Sequence, residues 1–251
     1  MPAWAQVNVG EASRMRHLVP AEELENAANQ QYAELVQQAQ AKGALAPTND
    51  VQTQRLHRIA NALIPHTYAW NERASQWKWA IALIRSDDIN AFCMPGGKIA
   101  FFTGIIDKLR LSDDEIAMIM GHEMAHALRE HSREQLAKNS ATSLGISLGA
   151  QLLGLGDLGN YAARLGGQLL SLRFSRNDEN DADLVGLEIA ARAGYNPQAA
   201  VTLWEKMGNA TGSNANGLSF LSTHPSGPER IRELQRNVPK VQALYQQAQR
   251  R

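Results

Sequence analysis

The stretch His122-Glu123-Met124-Ala125-His126 constrains the fold of this chain most, because its spacing brings reactive groups together on a helix. In an α-helix, residues i and i+4 lie on one face, one turn apart. His122 and His126 can therefore each aim a ring nitrogen at the same ion, and Zn²⁺ binds such pairs. Glu123 is rotated by about 100° from His122. It can thus face an open coordination position as a general base without binding the metal.

The residues around this motif carry the signals of a helix. Ser112 and Glu115 form the S-x-x-E pattern of an N-terminal capping box. Apolar residues then recur with helical spacing, and no proline occurs between Ser112 and Arg133. The two histidines are therefore predicted to lie in the middle of a helix. The alternative is a solvated helix face that carries two histidines by accident.

A catalytic zinc site usually needs a third protein ligand, with water in the fourth position. The best candidate is Glu179, near the start of a second predicted helix that ends before Gly194. Asp183 follows four residues later, so the two carboxylates share a face. Glu179 could bind the ion while Asp183 accepts a hydrogen bond from the outer nitrogen of a ligand histidine. An acidic first turn that favours the helix dipole explains the same residues, and spacing alone leaves both interpretations open.

Four motifs, in order, resemble those of one family of zinc endopeptidases. This is the gluzincin family of HtpX, the Ste-type CAAX proteases and the mitochondrial Oma-type protease, in its soluble branch of periplasmic BepA-, LoiP- and YcaL-like proteins. The motifs, within about residues 50 to 237, are Asn90 to Phe92 with Pro95 to Gly97, Gly121 to His126, Ser175 to Asp183, and Thr223 to Pro225 with Arg230.

The resemblance assigns a role to most of these residues. It implies one Zn²⁺ per chain, and the ligands it implies are His122, His126 and Glu179. Glu123 would be the catalytic acid and base, and Asp183 would support a ligand histidine from behind. The implied fold is α+β: a mainly helical zincin (gluzincin) fold with a small β-sheet packed on the active-site helix.

Three more residues join the site by resemblance. Asn90 would orient the substrate or the catalytic water, although its sequence context alone favours a turn residue. His224 follows a Gly-, Ser- and Asn-rich segment predicted as a loop over 208–222. It would either donate to the oxyanion of the tetrahedral intermediate or bind the resting zinc and keep the enzyme latent. Arg230 would stabilise the charge that develops. His131, five residues after His126, is expected to point off the ligand face.

The rest of the chain predicts helices around a small sheet. Residues 1–49 form an N-terminal lead-in and helix, 50–237 a metallopeptidase domain, and 238–251 a C-terminal tail. The lead-in to about residue 19 is expected to be irregular and poorly ordered. The predicted helices outside the two motif helices are 20–42, 50–70, 197–207 and 228–236, and the predicted strands are 77–83, 89–94 and 98–103. By the resemblance, a peptide substrate pairs as an extra strand along an edge of this sheet.

Residues 140–172 are unusually rich in Gly among Leu, Ile and Ala. Three interpretations stay open for this segment. It could form closely packed helices with a break near Gly154 to Gly159, a mobile flap over the cleft, or an amphipathic contact with a membrane.

The composition excludes several other classes of protein. The formal net charge is zero, so no global field attracts nucleic acid. The single cysteine, Cys93, excludes an internal disulfide and is predicted to be a small core residue. No apolar stretch of membrane-spanning length occurs, and the first residues lack the pattern of a signal peptide. Since several members of the resembling family are exported, we expect a mature or truncated chain with an added Met1, in the periplasm or at the outer membrane.

The sequence therefore predicts zinc-dependent hydrolysis of peptide bonds, with Glu123 taking a proton from a zinc-activated water and passing it to the leaving amine. The expected substrates are proteins or peptides, in particular misfolded or assembling envelope proteins, and peripheral membrane association is one option. Two other functions stay open. One is a latent protease that acts mainly as a chaperone or assembly factor for envelope proteins, and the other is a zinc hydrolase with a non-peptide substrate.

Overall fold

The protein is described by a computed structural model over residues 7–144, 169, 172–213, 219–224 and 227–250. The helices are α1 Ala21–Ala41, α2 Val51–Leu63, α3 Thr103–Leu109, α4 Asp113–Leu128, α5 His131–Leu144, α6 Arg176–Arg192, α7 Ala199–Ser213, α8 Ser219–Thr223 and α9 Pro228–Ala248. The strands are β1 Ala80–Ile84, β2 Ala91–Met94 and β3 Lys98–Phe102. Short 3-10 helices cover Arg14–Leu18, Ile64–His66 and Glu72–Ser75. The predicted α+β, mainly helical fold with a small sheet is confirmed.

The sheet has the strand order β1-β3-β2, with β1 parallel and β2 antiparallel to β3. The turn between β2 and β3 contains Gly96 and Gly97, whose φ angles are 78° and 75°. Glycine adopts this left-handed region without steric cost. A Cβ at Gly97 would also lie 2.7 Å from the ring of Trp79. The Pro-Gly-Gly segment, which the sequence places between two predicted strands, therefore closes a hairpin.

The sheet separates two hydrophobic clusters. Ile99 and Phe101 of β3 face the cluster that contains α4 and α6, whereas Ala100 faces the cluster built around α1. This alternation follows from the period of two along a strand. The hydroxyl of Tyr32 in α1 donates to the carbonyl oxygen of Ile99, 3.2 Å away. The sheet is thus covered by α1 on one face and by α4 on the other.

Helix α4 lies at the centre of the molecule and is buried almost all round. Its predicted capping box is confirmed. The Ser112 hydroxyl accepts from the backbone N–H of Glu115 at 3.2 Å, and the Glu115 carboxylate accepts from the N–H of Ser112 at 2.9 Å. A helix that is buried on every side needs packing partners on every side. Here these partners are α2, α6, α7 and β2.

Helices α4 and α6 meet through Gly121 and Gly186. A Cβ added to Gly186 would lie 2.6 Å from the backbone nitrogen of His122 and 2.7 Å from the carbonyl carbon of Gly121. A Cβ added to Gly121 would lie 2.8 Å from the carbonyl oxygen of Gly186. The two backbones are therefore closer than any side chain permits, which draws His122 toward the acidic residues one and two turns earlier on α6.

We expect Gly186→Ala to destabilise the protein by about 1–3 kcal/mol, the usual cost of overpacking a core. The new methyl group meets backbone atoms, which cannot rotate away. Gly208→Ala is the matched control, because it also lies in a helix but its Cβ would meet nothing within 4 Å. It should gain up to about 1 kcal/mol from helix propensity. Urea unfolding of both variants measures the difference, and equal effects would contradict the close approach of α4 and α6.

The prediction of a poorly ordered lead-in is wrong for residues 7–19. Val7 is buried, and its N–H donates to the buried carboxylate of Glu188 at 3.0 Å. The Arg133 side chain donates to the carbonyl oxygen of Val19 at 2.8 Å. These partners lie more than 100 positions away in the sequence, so a local pattern cannot reveal them. The first part of the lead-in lies outside the described residues.

Helix α9 is longer than predicted, because it continues to Ala248 rather than ending near residue 236. It therefore covers most of the stretch expected to be a tail. Pro239 lies inside the helix, where its ring removes one backbone hydrogen bond. Val238 and Val241 are buried on either side of it. Their packing against the core outweighs the local cost of the proline.

The loop predicted over 208–222 is also helical where it is described, since α7 runs to Ser213 and α8 begins at Ser219. Most of the Gly-rich segment 140–172, whose three interpretations were left open, lies outside the described residues. Among the helices that are described, none has the length and apolar character that a membrane crossing requires.

Candidate metal centre

Four buried side chains converge next to α4. They are His122, His126, Glu179 and His224, and each offers one ligand atom within 4.8 Å of the others. The Nε2 atoms of His122 and His126 are 3.1 Å apart. The carboxylate oxygens of Glu179 lie 3.6 Å and 3.4 Å from those two nitrogens. The structure therefore brings together the three residues predicted as ligands and adds His224 to them.

Three elements position these groups. Helix α4 carries both histidines one turn apart, and the first turn of α6 carries Glu179. His224 directly follows α8, where its ring stacks on Phe220 with centroids 4.4 Å apart. The Nδ1 atom of His224 lies 3.0 Å from the carbonyl oxygen of Phe220. Since a carbonyl oxygen only accepts, this contact favours the tautomer with the proton on Nδ1 and the lone pair of Nε2 toward the cluster.

The donor set fits a zinc ion. Imidazole and carboxylate are ligands that Zn²⁺ takes in proteins. The Oε1 atom of Glu179 and the Nε2 atom of His224 are buried, and both lack a hydrogen-bond partner among the described residues. Buried polar atoms without a partner are rare, and an ion is one of the few explanations. These two atoms point to a cation at the centre of the cluster.

The electrostatics of the cluster agree with this assignment. Burial raises the pKa of Glu179 to about 7. It also raises the pKa of Glu123 well above its ordinary value, and the neighbouring Glu179 adds to that effect. Burial lowers the pKa of His122 and His126 well below the ordinary range, and that of His224 to about 3. The imidazoles are therefore neutral and able to bind metal, and a divalent cation would supply the positive charge that favours ionised carboxylates.

Glu123 faces a cavity of about 170 Å³ beside the cluster. The residues that line this cavity include Asn90, Phe92, Met94, Glu123, Phe174 and His224. The backbone of Cys93 on β2 lies on one side of the Glu123 carboxylate and partly opposes the rise in the pKa of that group. Its Oε1 atom lies 3.5 Å from Nε2 of His224. Cys93 itself is buried with a free thiol, as predicted.

Asp183 and Arg230 lie behind the ligands. The Oδ1 atom of Asp183 is 3.0 Å from Nδ1 of His122. The guanidinium of Arg230 donates to both oxygens of Asp183 and to Oε2 of Glu179. It also lies over the ring of Trp204, 3.5 Å from the centroid. Arg230 therefore contacts the carboxylates of α6 directly, in a place suited to holding them.

The expectation that His131 points off the ligand face is wrong. Its Nδ1 atom lies 2.9 Å from Nδ1 of His126. The expectation assumed one continuous helix, whereas α4 ends at Leu128 and Glu130 has a φ of 59°. This left-handed residue turns the chain so that α5 starts beside the end of α4. The contact between His131 and His126 could have been predicted only from a helix break near Glu130, and no Gly or Pro there indicates one.

The fold and the site together define the class of zincin-type metallopeptidases. A helix presents the H-E-x-x-H side chains, a second helix adds a glutamate, and a short sheet borders the adjoining cavity. Residues 50–238 match peptidase family M48, and the chain belongs to that family. Zinc is the cofactor of this family, and the donor set of the cluster agrees with it.

Named relatives come from mitochondria and bacteria. The mitochondrial metalloendopeptidase OMA1 of Schizosaccharomyces pombe is 40% identical over 169 residues, which cover 67% of this chain and 49% of that protein. The metalloprotease LoiP of Escherichia coli is 28% identical over 206 residues, 79% of this chain and 75% of LoiP. The beta-barrel assembly-enhancing protease of Escherichia coli is 26% identical over 220 residues, 83% of this chain and 44% of that protein. The chain thus spans about half the length of the OMA1 relative.

We expect zinc to raise the melting temperature of the metal-free protein. Free zinc at about 1,000 times its Kd would stabilise the folded state by about 4 kcal/mol. For a chain of this size that corresponds to a rise on the order of 10 °C. Thermal denaturation of chelator-treated protein measures it. Magnesium, which prefers oxygen ligands, and the His126→Ala variant with zinc are the controls. An equal rise with His126→Ala would contradict a zinc centre at this cluster.

Proposed function

We propose that this protein is a zinc-dependent endopeptidase in which His122, His126 and Glu179 hold the metal. The observation that carries this proposal is the convergence of their buried ligand atoms beside a cavity that Glu123 lines. When bound, zinc lowers the pKa of a water molecule to about 7 and polarises the scissile carbonyl. All other steps depend on the side chains of this chain.

Glu123 moves the proton in this mechanism. It lies outside the ligand set, and its buried carboxylate has a pKa raised well above the ordinary value. A base of raised pKa can accept a proton from water and return it to the leaving amine near neutral pH. The backbone of Cys93, on the β2 side, favours the ionised form of this carboxylate and partly opposes the rise in its pKa. Its Oε1 atom, which has no hydrogen-bond partner among the described residues, is left for the water.

The substrate is a peptide in extended form that adds to β2. Strand β2 pairs with β3 on one side, and its residues line the cavity. A peptide along this strand would gain backbone hydrogen bonds, while its side chains enter neighbouring pockets. Phe92, Met94 and Phe174 give the cavity apolar walls, which favours an apolar side chain in the substrate. Asn90 directly precedes β2 and also lines the cavity, where its amide would orient the peptide or the water.

Asp183 and Arg230 keep the ligands in place. A carboxylate next to Nδ1 of His122 accepts the proton there and leaves Nε2 for the metal. Arg230 links Asp183 to Glu179 by charged hydrogen bonds. Its expected stabilisation of developing charge would therefore act through Glu179 rather than by contact with the substrate.

A broad peptide library tests the proposed activity. The protein with zinc should cleave internal peptide bonds, a chelator should abolish cleavage, and added zinc should restore it. The His126→Ala variant, which lacks one proposed ligand, serves as the control for a contaminating protease. Cleavage that persists in the chelator or in the variant would exclude the proposal. Turnover of ester or amide substrates without any peptide cleavage would instead assign a non-peptide zinc hydrolase.

A second candidate function rests on His224. Its Nε2 atom belongs to the ligand cluster and lies 3.5 Å from Oε1 of Glu123. In this arrangement the imidazole would occupy the position that the water needs, next to the Glu123 carboxylate. We infer a resting state in which His224 is a fourth zinc ligand and the enzyme is latent. A protein held in this state could act mainly as a chaperone or assembly factor.

Envelope protein quality control is the biological setting that we propose. The name of the beta-barrel assembly-enhancing protease supports it, whereas the OMA1 relatives are mitochondrial by name. The substrates would be misfolded or assembling envelope proteins, in the periplasm or at the outer membrane. Fractionation of cells that express the full natural gene would test the location, and recovery in the cytosol alone would exclude it.

A further inference from the structure

Two residues that take no part in the proton transfer described above hold the ring of His126. Phe174 stacks on it, with ring centroids 4.0 Å apart and an interplanar angle of 28°. His131 contacts its outer nitrogen, with the two Nδ1 atoms 2.9 Å apart. His126 and His131 are 2% and 3% exposed, so water does not compete for this contact. The His126 ring is therefore fixed in both its plane and its hydrogen bonding.

The chemistry of this contact fixes where the protons are. A histidine that binds metal through Nε2 carries its proton on Nδ1. The Nδ1 atom of His131 must then accept that proton, which requires a neutral His131 protonated on Nε2. A protonated His131 would set two N–H donors against each other. The usual partner of a ligand histidine is a carboxylate, a backbone carbonyl or water, so a neutral imidazole is an uncommon choice.

Each of the three histidines in the cluster has a hydrogen-bond acceptor next to its Nδ1 atom, but the acceptors differ. His122 has the carboxylate of Asp183 next to its Nδ1, and His224 has the carbonyl oxygen of Phe220. His126 has an imidazole. Each acceptor places the ring proton on Nδ1, and the Nε2 atoms of all three histidines face the ligand cluster. The contact between His126 and His131 thus completes a pattern rather than standing alone.

Helix α5 is built to hold His131 at this point. Glu130 adopts a φ of 59°, which redirects the chain so that His131 starts a new helix. The amide of Gln135, one turn later, donates to the carboxylate of Asp178 on α6 at 2.6 Å. Helix α5 is therefore tied to the helix that carries the proposed ligand Glu179, and His131 cannot move independently of the cluster.

We propose that His131 is a positioning residue of the zinc centre, which accepts the Nδ1–H of His126 and so directs Nε2 of His126 toward the metal. This inference rests on the proposed role of His126 as a ligand. His131 acts through His126 and does not touch the substrate.

Zinc affinity of two variants tests this role. His131→Leu removes the acceptor at similar volume, and His131→Asn keeps an acceptor oxygen close to the position of Nδ1. Loss of an outer hydrogen bond typically weakens metal binding by about 10- to 100-fold. Competition with a chromogenic zinc chelator should therefore show that loss for His131→Leu, and a Kd near the wild-type value for His131→Asn. Thermal denaturation of the metal-free proteins should show similar melting temperatures for the two variants.

Two results would overturn the inference. One is wild-type zinc affinity in His131→Leu, and the other is an equally weak affinity in His131→Asn. If His131→Leu does not fold, His131→Gln replaces it, because its amide reaches the position of Nε2 rather than Nδ1 and should weaken zinc binding. The readout also separates the two proposals. Tight zinc binding without peptide cleavage in the wild type rejects the peptidase, whereas wild-type affinity in His131→Leu with loss in His126→Ala rejects only the role of His131.

Discussion

Glu123→Gln is expected to lower the kcat/KM for peptide cleavage by about 10²–10⁴-fold, the contribution typical of a general base. Glutamine has the shape of glutamate but cannot take a proton from water. The substitution should leave the fold and the zinc content unchanged, because Glu123 lies outside the ligand set. Burial disfavours the ionised carboxylate, as its raised pKa shows, so a neutral amide avoids the cost of burying a charge. Steady-state kinetics on a peptide from the library, together with zinc analysis, measures both outcomes.

Glu205→Gln is the matched control. Glu205 is exposed on α7, so this substitution makes the same chemical change away from the cavity. It should cleave at the wild-type rate. A Glu123→Gln variant with the wild-type rate would show that another group is the base. A variant that loses zinc together with activity would instead make Glu123 a ligand.

His224→Ala is expected to raise the rate of peptide cleavage by about 10- to 1,000-fold. This range holds if His224 is away from the metal site in only about 10% to 0.1% of the resting protein. The hydrogen-bond pattern is the reason for the expected rise. Nδ1 of His224 faces a carbonyl oxygen, so the neutral ring presents a lone pair at Nε2 to the cluster. A lone pair suits a metal ligand and cannot donate to an oxyanion. Initial rates at saturating zinc measure the change.

His17→Ala serves as the control for this variant, since His17 is exposed in the N-terminal 3-10 helix. It should behave as the wild type. A fall of about 10²–10³-fold in His224→Ala would assign His224 to the stabilisation of the oxyanion instead. Activity that is negligible in both His224→Ala and the wild type would favour the chaperone or assembly function over the latent protease.

The parts of the site that the sequence could predict are those that depend on helical geometry. The spacing of His122 and His126 and of Glu179 and Asp183 is fixed by the backbone within each helix. The capping box at Ser112 likewise depends on residues three apart. Such patterns are complete within a few positions of the chain, so one sequence suffices to read them.

The parts that the sequence missed depend on a change of chain direction or on distant partners. Glu130 turns the chain without a glycine, and this turn brings His131 to His126. Glu188 binds the N–H of Val7 from the other end of the chain. Neither leaves a local pattern. The close packing of α4 against α6 also had no signal in the sequence beyond two isolated glycines. This packing nevertheless brings the candidate metal ligands of the two helices together.

The contact between Gly121 and Gly186 has a consequence for engineering the protein. Two backbones in direct contact cannot be compressed, so the spacing between α4 and α6 does not depend on how tightly the surrounding core is filled. Core substitutions elsewhere can therefore change the free energy of unfolding while the distance from His122 to Glu179 persists. A more heat-resistant form of this protein can be sought by repacking the core around α2 and α7, with its affinity for zinc retained.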